Sequence, residues 1–579
     1  MDTWTMAHVI WGLASIVSMT LSAPSPKLCP YQCVCGTDAL GRISVLCKDG
    51  DLSPSLPVNH MDPLTQVIIV TAPDEDSANS LTIGPIFQQF TKLQEVHISH
   101  SNIPAIGRHS FWGVPTLRLL NLTHNNISTV LDYNFRGMAD LEELHLDFNR
   151  IEKMSSGTFR YLTGLKVLSL RSNVISELVP RLFHMLGGLK VLDLSGNPLK
   201  ELLPDAFKDI QELRTLRCRG CDLRIINTQL YHLLPQLREL DFGENSINYL
   251  PKEDFSQLKK LKHMYLDGNR LAVLLPGLFK QQAQLSTLHL ANNRLVKIAP
   301  KAFDGLNSIR ELNLSGNQLD VLELPVMEPV IATLQSFDVS GNHLDMDDIR
   351  PVLQNMHLLT NIRLSHLKLV DLPLGLFEEN GKLKRVDLSH NELQAIPIQI
   401  LAHLSKLEEL DLRHNQLRGI EERLSQRFTA IDRVFLAENP WQCDMCHVRS
   451  LIGPHYRWDD PICASPSILR GQLLSSVKES DLGWCTLGAG GRDAASTELI
   501  RRDGPFGAYV AIGIPLVLFG VALIVTGLCY IRRRTARYYT GEEKHPDHSV
   551  ASSQLCTSAT EVSFRFPADD KLAALADAS

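Results

Sequence analysis

LRLLNLTHNNI (117–127), LEELHLDFNRI (141–151), LKVLSLRSNVI (165–175), LKVLDLSGNPL (189–199) and LEELDLRHNQL (407–417) are one phrase written five times. Its template is LxxLxLxxNxL, apolar at positions 1, 4, 6 and 11 with Asn at 9. Fifteen copies start at residues 93, 117, 141, 165, 189, 213, 237, 261, 285, 309, 334, 359, 383, 407 and 431. The spacing is 24 residues up to 309, then 25 twice, then 24 again. Amphipathic helices rich in leucine would give a 3.6-residue period, not this one. The apolar-x-apolar core of the phrase reads as a short strand with one buried face. Each copy therefore adds one strand to a parallel sheet.

Two further columns fix the register. Position 9 is Asn in all copies but three, where Ser101, Cys221 and Leu367 stand. An amide both donates and accepts, so it serves backbone groups in a buried turn. Leu cannot, which makes repeat 12 the least regular. Six residues before a start there is usually Phe: Phe87, Phe111, Phe135, Phe159, Phe183, Phe207, Phe255, Phe279, Phe303 and Phe377. Tyr231 takes one slot, and the column predicts a stacked aromatic spine on the convex side. Glu328 and Leu353 break it where Pro325 and Pro329 appear, so an irregularity is expected around 320–370. A degenerate first turn is placed around Leu64, Val67 and Ile69, and TAPDEDSANS (71–80) reads as a polar surface loop.

This phrase and spacing are the leucine-rich repeat signature. Cysteines mark both ends of the array: Cys29, Cys33, Cys35 and Cys47 before it, Cys443, Cys446, Cys463 and Cys485 after it. A solenoid needs its open ends sealed, and disulfides do this in an oxidising compartment. Four cysteines allow three connectivities, and spacing does not choose among them. A four-cysteine zinc site is the rival reading at the C-terminal end. CPYQCVCGTDALGRISVLC (29–47), NPWQCDMC (439–446) and ICASPSILRGQLLSSV (462–477) resemble the caps of the extracellular leucine-rich repeat family. That family includes the Nogo receptor, Slit, and transmembrane recognition proteins such as Capricious and Tartan. The resemblance implies an α/β right-handed solenoid, a horseshoe with a parallel concave sheet. It also implies the pairs Cys29–Cys35, Cys33–Cys47, Cys443–Cys463 and Cys446–Cys485, and binding of a protein ligand at the cell surface. The CxxC of 443–446 is wider than the family's usual C-terminal cap.

Residues 1–23 read as a secretory signal peptide, lacking the basic n-region, with a signal anchor as the alternative. The order expected from there is N-terminal cap 24–60, repeats 61–436, C-terminal cap 437–485 and stalk 486–507. Residues 508–531 are apolar and uncharged, long enough to cross a bilayer core of roughly 30 Å. Arg532, Arg533, Arg534 and Arg537 follow and favour the cytoplasmic side, giving a single-pass type I topology at the plasma membrane. Cys529 is a candidate for palmitoylation. The tail 532–579 carries seven basic and seven acidic side chains and reads as disordered.

The net charge of −7 argues against nucleic acid as a partner. No hydrolase, P-loop, zincin or dinucleotide motif is present, so no catalytic residue, metal or cofactor is expected. Cys218 and Cys221 occupy positions 6 and 9 of repeat 6. Both point inward, and two buried thiols are expected over a local disulfide or a redox pair. Positions 3, 5, 7 and 8 face out of the concave sheet. They offer His145, Asp147, Phe148 and Arg171, then Arg217, Arg219, Glu239, Asp241, His263, Tyr265, Asp267 and His289. Mixed charge with aromatics suits a protein-binding face, and homophilic contacts fit it too. Sequons lie at Asn121, Asn126 and Asn313. Glycans at Asn121 and Asn313, both at position 5, would leave repeats 3–9 as the open window.

Overall fold

The computed structural model describes residues 28–74, 77–251, 255–452 and 458–485. The expected signal peptide, stalk, membrane span and tail lie outside these. Among the described residues no helix is long and apolar enough to cross a membrane.

A sheet of 19 strands runs through the array. Fifteen of them fall at positions 3–5 of the fifteen repeats, from Glu95–Ile98 to Arg433–Phe435. Each pairs in parallel with the next, so equivalent positions meet: Glu239 with His263, His263 with Thr287. Positions 4 and 6 turn inward in every repeat; Leu240, Phe242, Met264 and Leu266 are fully buried. The Asn ladder does what the amide chemistry requires. Asn269 Nδ2 donates to the carbonyls of Phe242, Leu266 and Asp267 at 2.9, 3.0 and 3.3 Å, while its Oδ1 accepts from Ile247 N–H at 3.0 Å.

The aromatic column forms the opposite wall. All ten phenylalanines and Tyr231 are buried. Neighbouring rings lie 5.2 Å apart at Phe87–Phe111, 5.8 Å at Phe183–Phe207 and 6.1 Å at Phe255–Phe279. Strands lie ~4.8 Å apart, so the aromatic wall is spaced wider than the sheet and the stack bends towards the sheet. Where the column fails, helices Leu324–Ile331 and Met346–Gln354 take its place, burying Met327, Val330, Val352 and Leu353. Asp345 caps the second, accepting from Asp347 N–H at 2.9 Å. The irregularity expected at 320–370 is thus confined to the convex wall. The strand of repeat 12, Asn361–Arg363, pairs in register on both sides despite Leu367.

Three expectations need correction. The first turn sits one residue later in phase. Ile68 aligns with Val96 and Val70 with Ile98 in the core, whereas Ile69 aligns with His97 on the open face and Leu64 is exposed. VIIV (67–70) is apolar throughout, so alternation could not set its register. The polar loop that follows is not wholly at the surface. Asn79 is fully buried and acts as the ladder amide of this turn, accepting from Leu52 N–H at 2.9 Å and donating to Thr71 O at 3.1 Å. Lastly, Cys218 and Cys221 are fully buried but form a disulfide rather than two thiols. The ladder turn holds their Cα atoms 5.5 Å apart, within ordinary disulfide reach.

Both ends close as the cap resemblance implies, with Cys29–Cys35, Cys33–Cys47, Cys443–Cys463 and Cys446–Cys485 bonded. These bonds consume the thiolates that the zinc reading needed. An antiparallel hairpin, Val34–Thr37 with Ile43–Cys47, starts the sheet and pairs onward with Val67–Val70. At the other end Trp458–Asp459 adds a last strand. There the Asp459 carboxylate accepts from Leu436 and Ala437 N–H at 2.6 and 3.2 Å, satisfying the edge that a further repeat would have covered. Trp441 is buried beneath, its Nε1 donating to Leu436 O at 3.0 Å.

Candidate binding face

The strands aim positions 3 and 5 out of the sheet, and the turn after each strand aims positions 7 and 8 along its rim. On this face the twelve residues read from the sequence form two groups rather than one.

The first spans repeats 1–4. His145 Nε2 lies 3.4 Å from Glu143 and its Nδ1 4.0 Å from Asp147. Asp147 accepts from the Ser169 hydroxyl and, at 2.7 Å, from Arg171 N–H. Burial pushes its carboxyl up, against these hydrogen bonds. Phe148 is half-exposed and stacks on His124 at 4.3 Å, with the Arg171 guanidinium 5.8 Å from its ring. His124 in turn stacks on His100 at 4.5 Å. Beside them, Glu95 meets His97 at 3.4 Å and Arg42 of the cap at 2.5 Å. These partners, His97 first, pull its carboxyl down to about 2.

The second group spans repeats 6–10. Arg217 pairs with Glu239 at 2.7 Å. Arg219 reaches across three repeats to Asp241 at 3.4 Å, Glu244 at 3.2 Å and Asp267. Burial disfavours its charge, but Asp267, Asp241 and Glu244 outweigh that and hold the guanidinium above its ordinary pKa. Next to this network His263 Nδ1 lies 3.2 Å from Thr287 Oγ1. Tyr265 meets His289 edge-on at 5.0 Å, and His289 Nε2 lies 3.2 Å from Glu311. Burial, with Glu239, Glu311 and Asp241 adding to it, pushes the Tyr265 phenol up to about 12. The phenol therefore stays a neutral donor. The arginines and acids form a frame tied to itself; Tyr265, His263 and His289 are the groups it presents.

The sequons border this face. Asn121 pairs in the sheet with His145, and Asn313 with His289. Asn121 Oδ1 accepts from Thr123 N–H at 3.0 Å, and Asn313 Oδ1 accepts from Ser315 Oγ at 2.7 Å. Asn126 lies off the sheet, its Nδ2 donating to Asn102 Oδ1 at 3.0 Å.

Sequence reading took Phe148 from position 8 but missed the histidines of that column. Every residue there has positive φ, among them His100, His124, His366, His390 and His414. The last three stack face to face at 4.2 and 4.1 Å. The signal was visible as a recurrent His just before the ladder position.

A family model described as leucine rich repeat matches residues 91–151, 139–199, 211–271, 261–319 and 357–440, just over half of the chain. The chain belongs to the leucine-rich repeat family. No curated protein matches it. Among solved structures, the mouse RP105/MD-1 complex aligns with a TM-score of 0.59 and 23% identity, covering 74% of this chain and 77% of that one. A Leptospira interrogans leucine-rich repeat protein aligns at 0.55 and 24%, covering 64% and 90%. The Drosophila Toll–Spatzle complex aligns at 0.54 and 21%, covering 74% and 63%. At these identities the likeness is one of fold.

Proposed function

We propose that this leucine-rich repeat chain is a single-pass cell-surface recognition protein without catalytic activity. It binds an extracellular or cell-surface protein through the sheet face of repeats 3–9. Closer kinship to Capricious- and Tartan-type proteins and to the Nogo receptor ectodomain is part of this reading. The observation that carries it is the Tyr265, His263 and His289 group, held by a self-neutralised charge frame between two sequons. A part-buried charge frame fixes geometry, while a neutral aromatic flanked by polar groups is the kind of anchor on which binding energy concentrates. Disulfides at both ends support an oxidising, extracellular setting. Proteins of similar fold are found in complexes with protein partners, Toll with Spatzle and RP105 with MD-1, which supports the same mode.

The test is a binding screen of the full chain displayed on cells against a library of extracellular proteins, followed by Tyr265→Ala. A loss of about thirtyfold in affinity, the size of a hot spot, is expected, with Trp112→Ala on the convex wall unchanged. Equal binding by wild type and Tyr265→Ala would remove the sheet face from the account. The alternative, a signalling receptor or co-receptor, is separated by replacing 532–579: if binding persists and a cellular response disappears, the chain signals. A shed regulator, the other alternative, would release a fragment ending within 486–507 into the medium.

A further inference from the structure

Position 2 of each repeat, the residue just before the strand, forms a column outside the face described above. It reads Arg118, Glu142, Lys166, Lys190, Arg214, Arg238, Lys262, Ser286, Arg310 from repeat 2 to repeat 10. Five consecutive repeats, 4 to 8, place a cation there. The backbone holds the column in register: Arg214 N–H donates to Lys190 O at 2.8 Å, Arg238 N–H to Arg214 O and Lys262 N–H to Arg238 O at 2.7 Å. Neighbours are thus one strand apart, ~4.8 Å.

Their counter-ions divide the column. Arg118 lies 4.0 Å from Asp140 and 3.9 Å from Glu142, and Lys166 pairs with Glu142 at 2.6 Å. Lys190, Arg214, Arg238 and Lys262 have no carboxylate within ion-pair distance among the described residues. The reason is next door. The acids of the same repeats, Glu239, Asp241, Glu244 and Asp267, are taken up by Arg217 and Arg219 on the inner face. Lys260, on the same shelf, donates to the Gln236 amide instead. Glu212 is the acid that flanks the row, and it stays exposed. Arg238 and Lys262 are exposed, and Lys190 and Arg214 half-exposed.

We propose that this row is a docking strip for a sulfated polysaccharide of the glycosaminoglycan type. A regular run of one unpaired cation per repeat complements a stiff chain that carries anionic groups at regular intervals. The shelf residues beside it, Gly188, Glu212, Gln236 and Lys260, are small or polar. An acidic protein would need an apolar anchor to bind well, and a single-stranded nucleic acid would need aromatic platforms for its bases. The strip offers neither. Its use of charge alone also leaves the sheet face free for a separate partner.

The experiment measures binding of the purified full chain to immobilised heparin at physiological and at high salt. Desulfated heparin serves as a parallel surface; polyglutamate and single-stranded RNA serve as competitors. Wild type binds heparin, loses it at high salt, and does not bind the desulfated chain. The variant K190Q/R214Q/R238Q/K262Q binds at least about tenfold more weakly. A control of equal charge change on the convex wall, R136Q/R224Q/K280Q/K297Q, stays within about twofold. R214K/R238K retains binding, because charge rather than a guanidinium fork is used. Thermal melts of all variants match wild type, since these side chains lie at the surface. The proposal is overturned if wild type does not bind heparin, or if the strip variant binds as wild type does. It is equally overturned if the convex control loses as much, or if polyglutamate or RNA displaces the chain from heparin as readily as free heparin.

Discussion

At the scale of single residues, the ladder amide serves the turn after most strands, and in five repeats a histidine stands on the rim just before it. Asn269 serves three carbonyls and one N–H, all buried except the part-buried Asp267 carbonyl. Asn269→Ala should destabilise the array by about 3 kcal/mol, the cost of leaving such groups short of partners. A melt showing a change below about 0.5 kcal/mol would contradict the role given to it. His390 sits between His366 and His414 with Asp387 and Asp411 facing it. Burial first, and then the two neighbouring imidazoles, lower its pKa from 6.5, while the two aspartates oppose them. A folded-state pKa below the unfolded one means the unfolded chain binds the extra proton. Stability from this site is therefore full above about 6.5 and falls as pH drops below it. His390→Asn keeps a residue that tolerates positive φ and should flatten the dependence of melting temperature between about pH 7 and pH 5. An unchanged pH slope would show that the stack carries no such linkage.

At the scale of the element, each repeat is a strand and a spine residue facing each other across a filled core, and neither stands alone. Phe207 is fully buried, its ring 5.8 Å from Phe183. Phe207→Ala should cost about 4 kcal/mol, whereas Trp112→Ala, at a half-exposed site one residue past the spine, should cost under about 1. Equal losses in denaturant unfolding would mean the spine is not the core it appears in cross-section. What sequence could tell about these elements follows from their physics. Columns that recur every 24 residues average out local noise, so all fifteen strands and the aromatic wall were legible. The turn at 67–70 was not, because four apolar residues in a row carry no alternation. Asn79 was hidden by the insertion that displaces it from the regular spacing. The Cys218–Cys221 bond was hidden because one pair has no column to confirm it. On the binding face, which side chains point outward was legible. The partners of Arg219 were not, since they sit 22, 25 and 48 residues away and depend on which rotamer wins.

At the scale of the whole array, stability is a chain of nearest-neighbour interfaces, so a fault at one end should propagate inward and weaken with distance. The C-terminal end has three devices stacked on it: the Cys443–Cys463 bond, the buried Trp441 and the Asp459 carboxylate on the open strand edge. The bond ties the start of the cap to the strand Cys463–Ser465, which pairs with Trp441–Gln442. Cutting it with Cys443→Ser and Cys463→Ser should cost about 2–4 kcal/mol. It loosens the seat of Trp441 and, through it, the turn at Leu436. Amide exchange should then quicken in repeats 13–15, residues 383–439, grade away through the helical segment around 324–354, and leave repeats 1–4 at wild-type protection. The opposite pair, Cys33→Ser with Cys47→Ser, should produce the mirror gradient from the hairpin that opens the sheet. A uniform rise in exchange along all fifteen repeats would show one cooperative block. The ends would then hold the array as a unit, and the nearest-neighbour account would fail.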